Sequence, residues 1–295
     1  MNDSENIHIH WFPGHMAKAH RMIREHLKLV DVVIELLDAR IPLSSANPMV
    51  NEVIENKPRV VALNKADLAE SQWTERWIAE FRQQGLQVVT LDALTGKGAK
   101  MLVTKVEQLG MAKQASLIAK GVKPRAVRAM ILGIPNVGKS SLINRLLGTA
   151  TVRTADKPGV TRGKQWIKIG KNLELLDTPG VLWPKFEDPD IAFNLAITGA
   201  INDEVYDMEK VMARFLSILR EKYSERLIER YKLTPPLPED SLELLEVIGA
   251  KRGCLRSGGI IDHEKARRII LNEFRGGKLG QFTLDYPSTY YSDSN

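Results

Sequence analysis

Residues 126–147 read AVRAMILGIPNVGKSSLINRLL. The apolar run Ala126 to Leu132 predicts a buried strand, Gly133 to Gly138 a glycine-bounded turn, and Lys139 onward a helix stopped by Gly148. Gly133-x-x-x-x-Gly138-Lys139-Ser140 is a complete P-loop in the strand-to-helix setting that gives the pattern meaning. Glycines let the backbone wrap so that the N–H groups of Asn136, Val137, Gly138, Lys139, Ser140 and Ser141 face inward, and the helix N-terminus adds positive potential. Lys139 reaches the outer phosphates and the Ser140 hydroxyl is offered to Mg²⁺. The stretch is built to hold a nucleoside triphosphate.

Upstream, Val32 to Leu37 is a continuous apolar strand ending in Asp38-Ala39-Arg40, and Arg59 to Leu63 is another, running into Asn64-Lys65-Ala66-Asp67. An aspartate at the end of such a strand accepts hydrogen bonds from guanine N1–H and the N2 amine, a pair that adenine does not present. Asn64 is placed to buttress neighbouring loops, and the Lys65 stem to cover the base. A helix over Trp73 to Gln84, a strand over Val88 to Leu91, the loop Asp92-Ala93-Leu94-Thr95-Gly96 and a helix over Ala99 to Ala119 follow.

Beyond the P-loop helix, the polar stretch Thr151 to Lys164 centres on Thr161, and Gln165–Ile169 with Leu173–Leu176 predicts a hairpin. The hairpin ends in Asp177-Thr178-Pro179-Gly180, where Asp177 is placed to reach Mg²⁺ through water and the Gly180 N–H to meet the γ-phosphate. From Asp188 the strand signal fades and apolar residues keep helical spacing, as in Met208, Met212, Phe215 and Leu219.

The whole chain has 295 residues, a formal charge of +6 and one cysteine, Cys254. That length predicts two domains, and the single cysteine excludes an internal disulfide and fits a reducing compartment. No apolar run nears the roughly 18 residues needed to span a bilayer, and the acidic N-terminus is unlike a targeting peptide, so the sequence reads as cytoplasmic. Basic residues gather on the N-terminal segment (Lys18, His20, Arg21, Arg24, Lys28) and again between Lys251 and Lys278. Composition alone leaves both open between a phosphate-backbone surface and an ordinary solvated face.

The base-recognition motifs here precede the P-loop, the reverse of the familiar order, and a parallel sheet accommodates the change as a circular permutation. The expected fold class is α/β, a circularly permuted P-loop GTPase domain with a mostly parallel sheet and helices on both faces, followed by a small all-α domain. Expected boundaries are an N-terminal basic helical segment at 1–30, the GTPase domain at 31–190, the helical domain at 191–285, which only the resemblance given next makes RNA-binding, and a disordered tail at 286–295.

WFPGHMA at 11–17, DARIP at 38–42, NKAD at 64–67, GIPNVGKSSLINRL at 133–146, KPGVT at 157–161, LLDTPGVLWPKFED at 175–188 and KRGCLRSGG at 251–259 together resemble the ribosome biogenesis GTPase A family of bacteria (YlqF type). The resemblance covers nearly the whole chain. It implies a cytoplasmic GTPase that binds a late precursor of the large ribosomal subunit, rRNA and ribosomal proteins together, and hydrolyses GTP there; no DNA or membrane partner is expected, and the protein is expected to be a monomer off the ribosome. A nucleotide-switched RNA-binding scaffold is the alternative. The family's guanine contacts fall on Asn64, Lys65, Ala66 and Asp67, with Asp92 and Ala93 over the base. Similar proteins carry Ser or Asn where Asp92 stands. Mg²⁺ falls to Ser140, Thr161 and, through water, Asp177, while Asn136 resembles the loop asparagine of GTPases that use K⁺. Val181 follows DTPG where other GTPases have a water-orienting glutamine, and the resemblance gives that task to His15.

Overall fold

The computed structural model describes residues 21–48, 54, 57–121, 123–148, 165–178 and 188–287. They fall into two compact units, one of 21–178 with 282–287 and one of 188–281.

The first unit is a six-stranded sheet. Its strands are β1 (Val32–Asp38), β2 (Arg59–Asn64), β3 (Gln87–Thr90), β4 (Val127–Leu132), β5 (Gln165–Ile169) and β6 (Leu173–Asp177). The order across the sheet is β3-β2-β1-β4-β6-β5, all neighbours parallel except the β5–β6 hairpin. Every residue of β1 is buried, which is why this strand is apolar without alternation: a central parallel strand is covered on both faces.

Its helices are α1 (Pro42–Ser45), α2 (Ser71–Gln83), α3 (Ala99–Ile118) and α4 (Lys139–Leu147), with a further helix through 21–27. Ile23, Leu27 and Val30 pack with Val33, Met130 and Leu176 on one face of the sheet. On that same face Trp77 and Phe81 of α2 meet Leu37, Val61 and Leu63. The opposite face is covered by α3, where a Cβ on Gly110 would overlap the Val127 side chain. Gly148 ends α4 at φ +69°, the stop signal read from the sequence. The Thr151–Lys164 stretch lies outside the described residues.

The second unit is helical: α5 (Pro189–Thr198), α6 (Met208–Tyr231), α7 (Ser241–Lys251) and α8 (His263–Arg275). Each begins with an aspartate, Asp188, Asp207, Asp240 and Asp262, whose carboxylate accepts one or two N–H groups of the first turn. That stops the helix at a defined residue and satisfies donors that have no partner within the helix. Phe215 and Phe274 meet edge to face at 4.8 Å between ring centroids in its core. Beside them Glu273 pairs with both Arg230 and Arg252. Burial raises the Glu273 pKa, but hydrogen bonds from the two guanidinium groups outweigh it and bring the carboxyl down to about 2.

One segment departs from the expected boundaries. Residues 282–287, read from sequence as the end of the helical domain and the start of a tail, pack within the first unit. Phe282 N–H donates to Leu68 O and Leu284 N–H to Arg40 O, both at 2.9 Å, and Phe282 and Thr283 are fully buried. The Asp285 carboxylate accepts from Ser44 N–H at 2.6 Å and from its hydroxyl at 2.8 Å, while Trp77 Nε1–H donates to the Asp285 carbonyl at 3.0 Å. Tyr286 stands edge-on to Trp73. The chain thus leaves the sheet unit for the helical unit and returns to it.

Candidate nucleotide-binding site

The C-terminal ends of β1, β2, β3 and β4 bring four loops to one edge of the sheet. After β4, Gly133 crosses so close to β1 that a Cβ there would lie 2.7 Å from Leu36 O and 2.9 Å from Val137 Cγ1. Gly138 adopts φ +104°, and a Cβ on it would collide with the Asn64 amide. No other residue type fits this turn without moving the strand beside it. Lys139 is buried, its ammonium donating to Gly133 O at 2.9 Å and Ile134 O at 2.7 Å, so the cation is held over the concave side of the loop. No side chain caps α4, which starts at Lys139, and Ser140 stands in its first turn. Asn136 is exposed at φ +55°, and Val137 is buried beneath it.

Asn64, almost fully buried, joins this loop to the others. Its Nδ2 donates to Val137 O at 2.7 Å and its Oδ1 accepts Ala93 N–H at 3.0 Å, so one amide ties the P-loop to the loop after β3. Lys65 adopts φ +59°, and its ammonium donates to Asn136 O at 3.0 Å while pairing with the Asp38 carboxylate at 2.9 Å. Ala66 N–H donates to Leu91 O at 3.0 Å and Leu68 N–H to Lys65 O at 2.9 Å, which leaves Asp67 at the exposed tip of a pinned turn.

Asp92 organises its own loop. Its Oδ1 accepts Leu94 N–H at 2.8 Å and Thr95 N–H at 3.1 Å, and its Oδ2 accepts the Thr95 hydroxyl. Slight burial raises its pKa, but the Thr95 and Leu94 hydrogen bonds prevail and hold the carboxyl below the usual range. From α4, Arg145 donates to Thr95 O, clamping the loop to the P-loop helix. Asp92→Ala is expected to loosen this turn and weaken GDP binding about fivefold, one net hydrogen-bond equivalent, whereas Asp92→Ser retains near-native affinity because a hydroxyl still accepts the turn N–H groups. A fluorescent-GDP titration of the two variants checks it.

The β6 end is anchored by Thr178, buried, whose hydroxyl donates to Ile131 O beside the P-loop. His15, Thr161, Gly180 and the Asp177 side chain lie outside the described residues, so Ser140 is the one described member of the expected Mg²⁺ set. Sequence reasoning missed Asp38 and Arg145 as parts of the site. Asp38 had left a signal, an acid closing an apolar strand, and the register sets it directly beside Asn64.

Residues 128–233 match a family model described as "50S ribosome-binding GTPase". Ribosome biogenesis GTPase A of Bacillus cereus is 51% identical over 96% of this chain and 95% of its own length. The chain belongs to the ribosome biogenesis GTPase A family. The protein of the same name from Priestia megaterium is 52% identical over 95% of the chain and 97% of its own. GNP-bound YlqF from Thermotoga maritima superposes with a TM-score of 0.65 at 28% identity, covering 92% of this chain and 99% of that one. A GTPase of this family implies GTP or GDP and, typically, Mg²⁺. The residues fit both: glycines that let the loop bend tightly against β1 and the Asn64 amide, a lysine whose ammonium is held by the loop carbonyls, an uncapped helix start and a first-turn serine.

Proposed function

We propose that this protein is a cytoplasmic GTPase that binds a late precursor of the large ribosomal subunit and hydrolyses GTP there to promote or check its maturation. The observation that carries the reading is the Asn64 bridge, which makes a base-recognition turn and a P-loop one site in a chain half identical to proteins named for ribosome biogenesis. Asp67 recognises guanine, Lys65 covers the base, and Lys139 with the loop N–H groups neutralises the phosphates. Ser140, Thr161 and, through water, Asp177 would hold Mg²⁺, which would supply positive charge against the phosphates. The Asn136 side chain is assigned to K⁺. His15 orients the attacking water, a task Val181 has no hydrogen-bonding group to perform.

The helical unit supplies exposed cations for an rRNA backbone: Lys251, Arg256, Lys265, Arg268 and Lys278. Arg252 and Arg275, counted with them from sequence, pair instead with Glu273 and Asp203 inside the unit. Arg256 and Arg268 carry rim partners, Asp262 and Glu264, of the solvent-exposed kind that phosphate readily displaces.

Single-turnover GTP hydrolysis in K⁺ buffer, with and without purified large subunits, tests the proposal. Stimulation of at least tenfold, about 1.4 kcal/mol of barrier, is expected. His15→Ala should bind GTP normally and lose most of that stimulation. GTP-dependent binding to the particle without stimulation would establish the nucleotide-switched scaffold instead, and loss of nucleotide binding in His15→Ala would make His15 structural.

A further inference from the structure

DARIP, at residues 38–42, is a motif of the sheet unit that the nucleotide chemistry leaves without a task. Asp38 ends β1 almost fully buried, beside Asn64 in the parallel register and so next to the first residue of the base-recognition turn. Its Oδ1 accepts the Arg40 backbone N–H at 3.1 Å and Nε at 2.9 Å, and its Oδ2 accepts Arg40 Nη2 at 2.7 Å. The same Oδ2 lies 2.9 Å from the Lys65 ammonium. Arg40 is itself almost fully buried, and its carbonyl accepts Leu284 N–H from the returning C-terminal segment. A rigid anion thus stands directly behind the lysine that covers the base.

Lys65 needs such a hold. Its φ of +59° is a strained conformation for a non-glycine residue, and its long side chain has many rotamers to lose when it is ordered. The ammonium is stretched between the Asp38 carboxylate and Asn136 O, spanning from the base turn to the P-loop. Ordering it before the nucleotide arrives removes that cost from the binding step.

We propose that Asp38 is a positioning residue for guanine-nucleotide binding, acting through Lys65. The inference rests on the nucleotide-site reading above and assigns DARIP its part in it. Burial raises the Asp38 pKa, but Arg40 and Lys65 together pull it well below the ordinary carboxylate range. The sign of the effect is diagnostic. By charge alone, removing an anion near a phosphate-binding site tightens an anionic ligand; by positioning, it loosens it.

The test uses the full chain and fluorescent GDP, with affinity and dissociation rate measured for wild type, Asp38→Asn, Lys65→Met and the double variant. Asp38→Asn is expected to bind GDP about five- to tenfold more weakly through faster dissociation, the cost of ordering one long side chain on binding. In the Lys65→Met background the Asp38 change should add nothing, because the group it acts through is gone. Tighter GDP binding by Asp38→Asn, or a full additional loss in the double variant, overturns the proposal. Because Asp38→Asn strands the buried Arg40 charge, Asp38→Asn with Arg40→Met is measured beside it, and failure of that pair to show a cooperative melt would make Asp38 a folding ion and refute the positioning role. Wild type that binds no GDP would instead sink the nucleotide-site reading itself, an outcome separate from all of these.

Discussion

Asp67→Asn is expected to lower affinity for GTP at least a hundredfold and to raise affinity for xanthosine triphosphate, moving the preference from guanine to xanthine. A carboxylate accepts from both N1–H and the N2 amine, whereas an amide offers one acceptor and one donor, the pattern that suits a C2 carbonyl. Losing a bidentate, charge-assisted contact and leaving a base N–H unpaired costs on the order of 3 kcal/mol. The turn should not move with the substitution. It is pinned from below by Ala66 N–H on Leu91 O, within itself by Leu68 N–H on Lys65 O, and from outside by Phe282 N–H on Leu68 O. Asp67 is exposed at its tip, so the change reports on ligand chemistry and not on the core. Competition of GTP, XTP and ATP against fluorescent GDP gives the answer, and unchanged selectivity would remove Asp67 from the base site.

That substitution could be chosen from sequence because the reasons behind NKAD and the P-loop are local. A parallel strand delivers its last residues to one sheet edge, and glycine spacing sets the loop, so β1, β2, β4 and α4 were legible within one or two residues. Helix α5 was not, because Ala192 to Thr198 are all buried and the helix so lacks the polar stripe that marks an amphipathic helix. Its remaining signals were the Asp188 cap, Pro189 in the first turn and Gly199 at the end. The C-terminal return was out of reach for a different reason. Asp285 meets Ser44 across 241 residues of chain, through hydrogen bonds that leave no periodicity, and a short irregular segment buried on a sheet unit looks in sequence like any polar tail. The Asp38–Lys65 pair is similarly invisible until the register places β1 beside β2. Contacts between neighbouring strands depend on strand order, which neither strand encodes alone.

The Asn64 bridge yields the second large effect. Asn64→Ala removes the donor to Val137 O and the acceptor for Ala93 N–H, both buried, and an orphaned buried polar group costs about 1–3 kcal/mol. It also opens space beside Gly138, whose missing Cβ is required by the Asn64 amide, so the P-loop loses the wall against which it is bent. If the two loops hold opposite ends of one nucleotide, as proposed above, they then move independently, and GDP affinity is expected to fall about a hundredfold while the sheet itself stays intact. Thermal melts separate the two effects. The ligand-free protein should lose a few degrees, and the rise in Tm on adding saturating GDP to wild type should be almost absent in the variant at the same concentration. Asn64→Asp divides the bridge: a carboxylate still accepts Ala93 N–H but faces Val137 O with no donor. If Asn64→Asp binds GDP as weakly as Asn64→Ala, the P-loop half carries the coupling; if it binds nearly as well as wild type, the base-loop half does. Wild-type GDP stabilisation in both variants would mean that the phosphate and base loops hold their places without this residue.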